Sequence, residues 1–248
     1  MELKDTIDIY DGLIPSIFDL KTFATMIIFG KIRSGKTMFL IDIYNKYLRK
    51  KFNEVYVFVN NKSVGSKYKQ MEENANIQIY SSEIKETRDM IAQLYNDIKD
   101  MNDKSELDEE TFPKRLIIID DLFDTKIESN KGVNDLFLNG RHEGISTIFI
   151  SQYTHIMVKP IMKSNTDIMA FFKTEGSDIS NVTNIIYEKI STLIPWKGLT
   201  YLKEYAFNIY MNNILANNDG LFKGLVSGHD NKGRTLIMKY IPKIKKKL

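Results

Sequence analysis

Met26-Ile27-Ile28-Phe29 runs directly into Gly30-Lys31-Ile32-Arg33-Ser34-Gly35-Lys36-Thr37, and Met38, Phe39, Leu40, Ile43, Tyr44, Tyr47 and Leu48 follow at helical spacing. An apolar strand, the pattern G-x-x-x-x-G-K-T and a helix, in that order, form the context in which this pattern carries a mechanism. The two glycines let the backbone wrap round a polyphosphate, with its N–H groups and the helix N-terminus pointing inward. Lys36 is expected to set its ammonium on the β- and γ-phosphates, and the Thr37 hydroxyl to complete a magnesium shell. Gly30, Lys31, Ile32, Arg33, Ser34, Gly35, Lys36, Thr37 and Met38 are therefore the expected binding residues for a nucleoside triphosphate. A chance match on a turn containing Gly and Lys would lack these flanks.

Further along, Arg115-Leu116-Ile117-Ile118-Ile119 reads as a buried strand ending in Asp120-Asp121. Asp120 fits the carboxylate that holds Mg2+ through water. Asp121 falls where many such enzymes place the residue that orients or deprotonates the attacking water. Two acids at a strand end are also a common solvated turn, and the upstream phosphate loop decides for chemistry. The second acid favours hydrolysis over mere switching. Gln152 ends the next strand, where it could sense the γ-phosphate, hold the water, or simply finish a turn. Arg141 could be a surface residue or an arginine finger reaching a neighbour's triphosphate. Arg33 could touch the γ-phosphate in cis or face solvent.

Between these motifs, apolar strands alternate with helices. Strands are expected at 25–29, 54–59, 76–80, 115–119, 146–150 and 166–172, with helices at 36–51, 83–101 and 133–139. That alternation argues an α/β P-loop sandwich with a mainly parallel central sheet flanked by helices. Residues 1–22 read as an arm lying on the core, 23–172 as the nucleotide-binding core, and 102–113 as a solvated linker. Residues 173–248 read as a small C-terminal region of two helices (178–190 and 199–213), a hairpin (224–227 with 235–240) and a basic tail. A length of 248 residues allows one compact domain to hold all of this. With 43% hydrophobic and 27% charged residues the chain is globular, not disordered. A net charge of +3 permits a local basic patch and proves no nucleic-acid binding. The lack of cysteine removes disulfides, thiolate metal sites and cysteine nucleophiles together. His142, His155 and His229 are not spaced as a zinc site. No apolar run approaches the ~18 residues of a membrane span, and Met-Glu-Leu-Lys-Asp lacks the regions of a signal peptide. A soluble intracellular protein is expected.

The phosphate loop, Ile118-Ile119-Asp120-Asp121-Leu122, and Asn139-Gly140-Arg141-His142-Glu143-Gly144-Ile145-Ser146 followed by Ile148-Phe149-Ile150-Ser151-Gln152 are together distinctive. They resemble the virion DNA-packaging ATPases of poxviruses, other large DNA viruses and virophages, within the FtsK–HerA superfamily of ring-forming P-loop motors. The likeness covers about residues 24–172. It implies an ATPase using ATP and Mg2+, assembled as a homo-oligomeric ring (a pentamer or hexamer), that drives double-stranded DNA into a preformed capsid. Capsid vertex or portal proteins are the implied partners. The implied location is the host cytoplasm or viral factory, with virion association also open. Lys36, Thr37, Asp120, Asp121 and Gln152 match the nucleotide-site positions one by one, and Arg141 matches the arginine of the Gly-Arg-His stretch. Where the wider superfamily often has Glu as second acid, Asp121 is shorter, leaving open whether it acts directly or through another water.

Such a motor grips DNA through phosphates, without sequence preference and with salt sensitivity. Lys62, Lys67 and Lys69, the segment 159–163, and the tail 243–247 could supply that grip; lysine clusters of this size also occur as plain solvated surface. A P-loop nucleoside or nucleotide kinase is the alternative, but 173–248 carries only Arg234 where such enzymes have an arginine-rich lid. A GTPase is disfavoured because no Asn-Lys-x-Asp element occurs. A helicase loader of the AAA type would need a helical lid in place of the C-terminal hairpin signal.

Overall fold

In a strand, successive side chains point to opposite faces, so a continuous apolar run needs cover on both. The computed structural model describes residues 9–19, 23–59, 67–71, 77–81, 84–120, 122, 131–153, 160–193, 198–215, 223–229 and 232–241. In it β2 (Thr25–Phe29) sends Ile27 and Phe29 into one core and Met26 and Ile28 into another. β5 (Arg115–Asp120) does the same with Ile117 and Ile119 against Leu116 and Ile118. Full burial of such side chains contributes roughly 1.5–3 kcal/mol each. The first core is closed by α2 (Ile84–Asp103), α3 (Lys131–Asn139), α5 (Asp178–Ser191) and α6 (Leu199–Tyr210). The second is closed by α1 (Lys36–Ile43) and by Ile17 and Phe18 of the N-terminal arm. α1 continues as a π-helical turn, Tyr44–Leu48, in which the Arg49 N–H reaches back to the Tyr44 carbonyl at 2.8 Å.

Among the described residues the strands form one nine-stranded sheet in the order β1-β9-β8-β7-β2-β6-β5-β3-β4. The remaining strands are β1 (Ile9–Asp11), β3 (Glu54–Val59), β4 (Ile77–Ser81), β6 (Ile145–Ser151), β7 (Ile168–Phe171), β8 (Gly224–His229) and β9 (Thr235–Tyr240). Only β8 runs against the others. The expected strands and helices are present with small shifts at their ends, and a short helix α4 (Pro160–Ser164) precedes β7. The C-terminal hairpin, expected within a small C-terminal region, extends the central sheet beside β7. The arm adds the strand beyond it, pairing Ile9 with Ile237.

β6 lies between β2 and β5, parallel to both. The ends of β2, β6 and β5 therefore lie side by side at the carboxyl edge of the sheet, where open α/β sheets bind ligands. The chain after β7 braces the loop after β2. The Phe172 N–H donates to the Phe29 carbonyl at 2.7 Å, and the Lys31 N–H to the Lys173 carbonyl at 2.9 Å. Tyr210 of α6 fixes that brace, its hydroxyl accepting from the Thr174 N–H at 3.0 Å and donating to the Phe172 carbonyl at 3.3 Å. Burial pushes the Tyr210 phenol up from its ordinary pKa, so it stays a protonated donor. Tyr210→Phe is expected to destabilise the fold by about 1–3 kcal/mol, because it strands a buried N–H and weakens the brace. A urea melt would measure this, and an unchanged midpoint would remove Tyr210 from the support of the loop.

Candidate active site

The loop from Gly30 to Thr37 is shaped by two glycines for different reasons. Gly30 packs so closely that a Cβ there would lie 2.6 Å from the Phe172 Cβ and 2.7 Å from the Ser34 Oγ. Gly35 has φ +98°, a left-handed conformation that opens α1 and is comfortable only for glycine. No side chain caps α1, and the first N–H groups of a helix, which lack intrahelical acceptors, favour a bound anion. Arg33 also takes a positive φ, +61°. The loop thus presents a concave, N–H-rich surface.

Around it is a cleft of about 430 Å³ lined by Ile32, Arg33, Ser34, Gly35, Lys36, Thr37, Met38, Lys67, Asp120 and Gln152. Lys36 is buried, its Nζ donating to the Gly30 carbonyl at 2.6 Å and the Lys31 carbonyl at 2.8 Å. Those bonds hold the ammonium at the mouth of the loop. The Ser34 Oγ is buried with no hydrogen-bond partner, and a phosphate oxygen entering the loop could satisfy it. Asp120, delivered by β5, is only 3% exposed. Its Oδ2 accepts from the Thr37 Oγ1 at 3.4 Å and from the Tyr68 hydroxyl at 2.6 Å. Thr37 and Asp120 therefore offer two hard oxygen donors side by side. No group of three or more His, Cys, Asp or Glu able to hold a metal occurs among the described residues. That donor set fits Mg2+, which takes one or two protein oxygens and completes its shell with phosphate and water.

Gln152 reaches the cleft from the end of β6, beside the loop, as its sequence position implies. Lys31 turns away, pairing through its side chain with Glu175. Asp121 lies outside the described residues. Arg141 sits at the other end of β6, in the turn Gly140–Glu143. The seven residues of β6 separate it from the cleft by about 20 Å, so it serves no phosphate of its own subunit. There its guanidinium donates to Asp167, at 3.0 Å to Oδ1 and 3.2 Å to Oδ2. Asp167 also accepts the N–H groups of Ala24 at 2.8 Å and Thr25 at 2.9 Å. Of the lysines considered for DNA, Lys67 lines the nucleotide cleft and Lys163 pairs with Glu188. Lys62, Lys159 and the tail 243–247 lie outside the described residues.

The sequence reading missed Tyr68. It lies in a polar stretch with no periodicity, so nothing marked its ring as buried or its hydroxyl as a partner of Asp120. Asp167 was missed too, although an acid just before a buried strand is a place to look for contacts with the backbone of its neighbours.

A phosphate loop, a buried acid opposite its threonine and a strand inserted between their two strands define a P-loop nucleoside triphosphatase. Residues 18–194 match the family described as Poxvirus A32 protein. The chain belongs to this family, and with it to the viral genome-packaging ATPases that its motifs resemble. No curated protein matches the chain in sequence. Among the solved structures similar to it in fold are the following three. B204, the DNA-packaging ATPase from Sulfolobus turreted icosahedral virus, has a TM-score of 0.50 at 16% identity over 86% of this chain and 96% of that one. The genome-packaging NTPase B204 from Sulfolobus turreted icosahedral virus 2, in complex with ATP-gammaS, has a TM-score of 0.52 at 16% identity over 89% and 99%. The pCW3 conjugation coupling protein TcpA, in its monomer form with ATPgS, has 0.52 at 13% over 88% and 60%.

Proposed function

We propose that this ATPase binds ATP with Mg2+ and works as a homo-oligomeric ring, a pentamer or hexamer, that translocates double-stranded viral DNA into a preformed capsid. The observation that carries the nucleotide reading is the buried Asp120 facing Thr37 across the mouth of the phosphate loop. The solved B204 complexed with ATP-gammaS supports it at the level of fold. Thr37 and Asp120 would hold Mg2+, which when bound neutralises charge on the β- and γ-oxygens. Lys36 binds the same phosphates from the loop side. Gln152 is the proposed donor that orients the attacking water, and Asp121 the proposed carboxylate that accepts its proton. Capsid vertex or portal proteins are the proposed docking partners, and the host cytoplasm or viral factory the proposed location.

Arg141 is proposed as the residue that a neighbouring subunit inserts into this site. Its place at the edge opposite the cleft suits a contact between subunits and not one within a subunit. Arg141→Ala is then expected to leave nucleotide binding by an isolated subunit unchanged and to lower turnover of the assembled ring on the order of 10³-fold. Full turnover in an assembled Arg141→Ala ring would refute the assignment.

The deciding experiment is ATP hydrolysis by the purified protein with and without linear double-stranded DNA. Stimulation by DNA supports the motor. Turnover that ignores DNA but requires a nucleoside acceptor would replace it with a kinase.

A further inference from the structure

β3 ends at Val59 in register with Asp120 of β5. At Lys67 and Tyr68 the chain lies against the same carboxylate. Lys67 lines the cleft, while Tyr68 has no exposed surface and packs in the same core as α1. The Tyr68 hydroxyl donates to the Asp120 Oδ2 at 2.6 Å. That length belongs to charge-assisted O–H···O⁻ bonds, and it is shorter than the Thr37 hydroxyl contact on the same oxygen, at 3.4 Å. A buried phenol and a buried carboxylate each need partners, and here they meet.

We infer that Tyr68 is a positioning residue for the metal-side carboxylate. Its rigid, fully packed ring fixes the direction of the hydroxyl, and the hydroxyl fixes the rotamer of Asp120 relative to Thr37. The carboxylate is thereby held ready for Mg2+, so that little order is lost when the metal and nucleotide arrive. Outer partners of this kind set the affinity of a metal site as well as its shape. The inference rests on the reading of Asp120 as the Mg2+-side acid.

The test is the Mg2+ concentration that half-saturates binding of a fluorescent ATP analogue, measured without turnover on the full chain. Wild type would be compared with Tyr68→Phe, Asp120→Asn and the double variant. Tyr68→Phe keeps the ring and removes only the hydroxyl, and thermal melts in EDTA would verify that each variant is folded. The expected result is a half-saturating Mg2+ concentration about 10-fold higher in Tyr68→Phe. The Asp120→Asn shift should be at least as large, and adding Tyr68→Phe to it should change nothing further, because the two groups act as one unit. If Asp120→Asn leaves the Mg2+ dependence unchanged, the metal reading of Asp120 fails. If Asp120→Asn shifts it and Tyr68→Phe does not, or if the two shifts simply add, the inference about Tyr68 fails alone. Should Tyr68→Phe prove unfolded, Tyr68→Leu, which is smaller and carries no hydrogen-bond donor, is subject to the same comparison.

Discussion

Lys36→Ala is expected to abolish ATP turnover, with a fall of at least about 10²–10³-fold, while the protein stays folded. The Lys36 Nζ is buried and held on two loop carbonyls, those of Gly30 and Lys31, at the mouth of the phosphate loop. A cation preorganised in a site of low dielectric interacts with developing phosphate charge far more strongly than one in water. The fold does not depend on it to the same degree. Truncation removes no β-sheet bond, and Lys36 lines the cleft and not either core. Turnover and thermal melting of the same sample would check both halves. Turnover within tenfold of wild type would mean that hydrolysis occurs elsewhere, and a collapsed melt would mean that the lysine is structural.

Gly30→Ala is the second large effect, and it acts through packing. The added methyl would sit 2.6 Å from the Phe172 Cβ and 2.7 Å from the Ser34 Oγ. Neither is the free end of a long side chain that could swing aside. The Phe172 Cβ is anchored by a backbone whose N–H is bonded to the Phe29 carbonyl, so the loop itself must move. Overpacking of this kind destabilises by about 1–3 kcal/mol. Displacing the loop also spoils the alignment of its N–H groups, so nucleotide affinity should fall with stability. Gly198→Ala is a suitable control. Its φ is −66° and nothing lies within 4 Å of the Cβ it would gain, so a change under about 0.5 kcal/mol is expected. Equal melts and equal nucleotide affinity for Gly30→Ala and wild type would show that the close approach at Gly30 is dispensable.

The central strands were legible because their apolar runs are unbroken and the phosphate loop supplies its own context. Residues 115–119 could hardly be anything but a covered strand, and Asp120 at their end could then be placed by its distance from nothing more than the strand's last apolar residue. Short, mixed segments were harder. Ile9–Asp11 carries too few residues to show a period, and its pairing with β9 depends on residues far away in the chain. The hairpin was visible as a hairpin, yet whether it stood apart or joined the sheet turned on the open edge of β7, which no local pattern records. Tyr68 escaped for the same reason: a hydrogen bond across a long separation leaves no mark in spacing. Arg141 was legible as a motif but not as a position. Only the parallel arrangement of β6 with β2 and β5 reveals that Gln152's end of the strand, and not the arginine's, shares the edge with the phosphate loop.

The pairing of β1 with β9 has a consequence for how the protein is made. β1 leaves the ribosome about 220 residues ahead of its partner β9, and β8 and β9 must first dock on β7. At synthesis rates of roughly 5–20 residues per second, β1 waits for at least about ten seconds with its edge unsatisfied. The phosphate loop, by contrast, depends on β2, β6, β5 and β7, which are complete earlier. The nucleotide-binding half can therefore mature on the nascent chain before the far edge of the sheet is sealed, with closure of that edge among the late steps of folding.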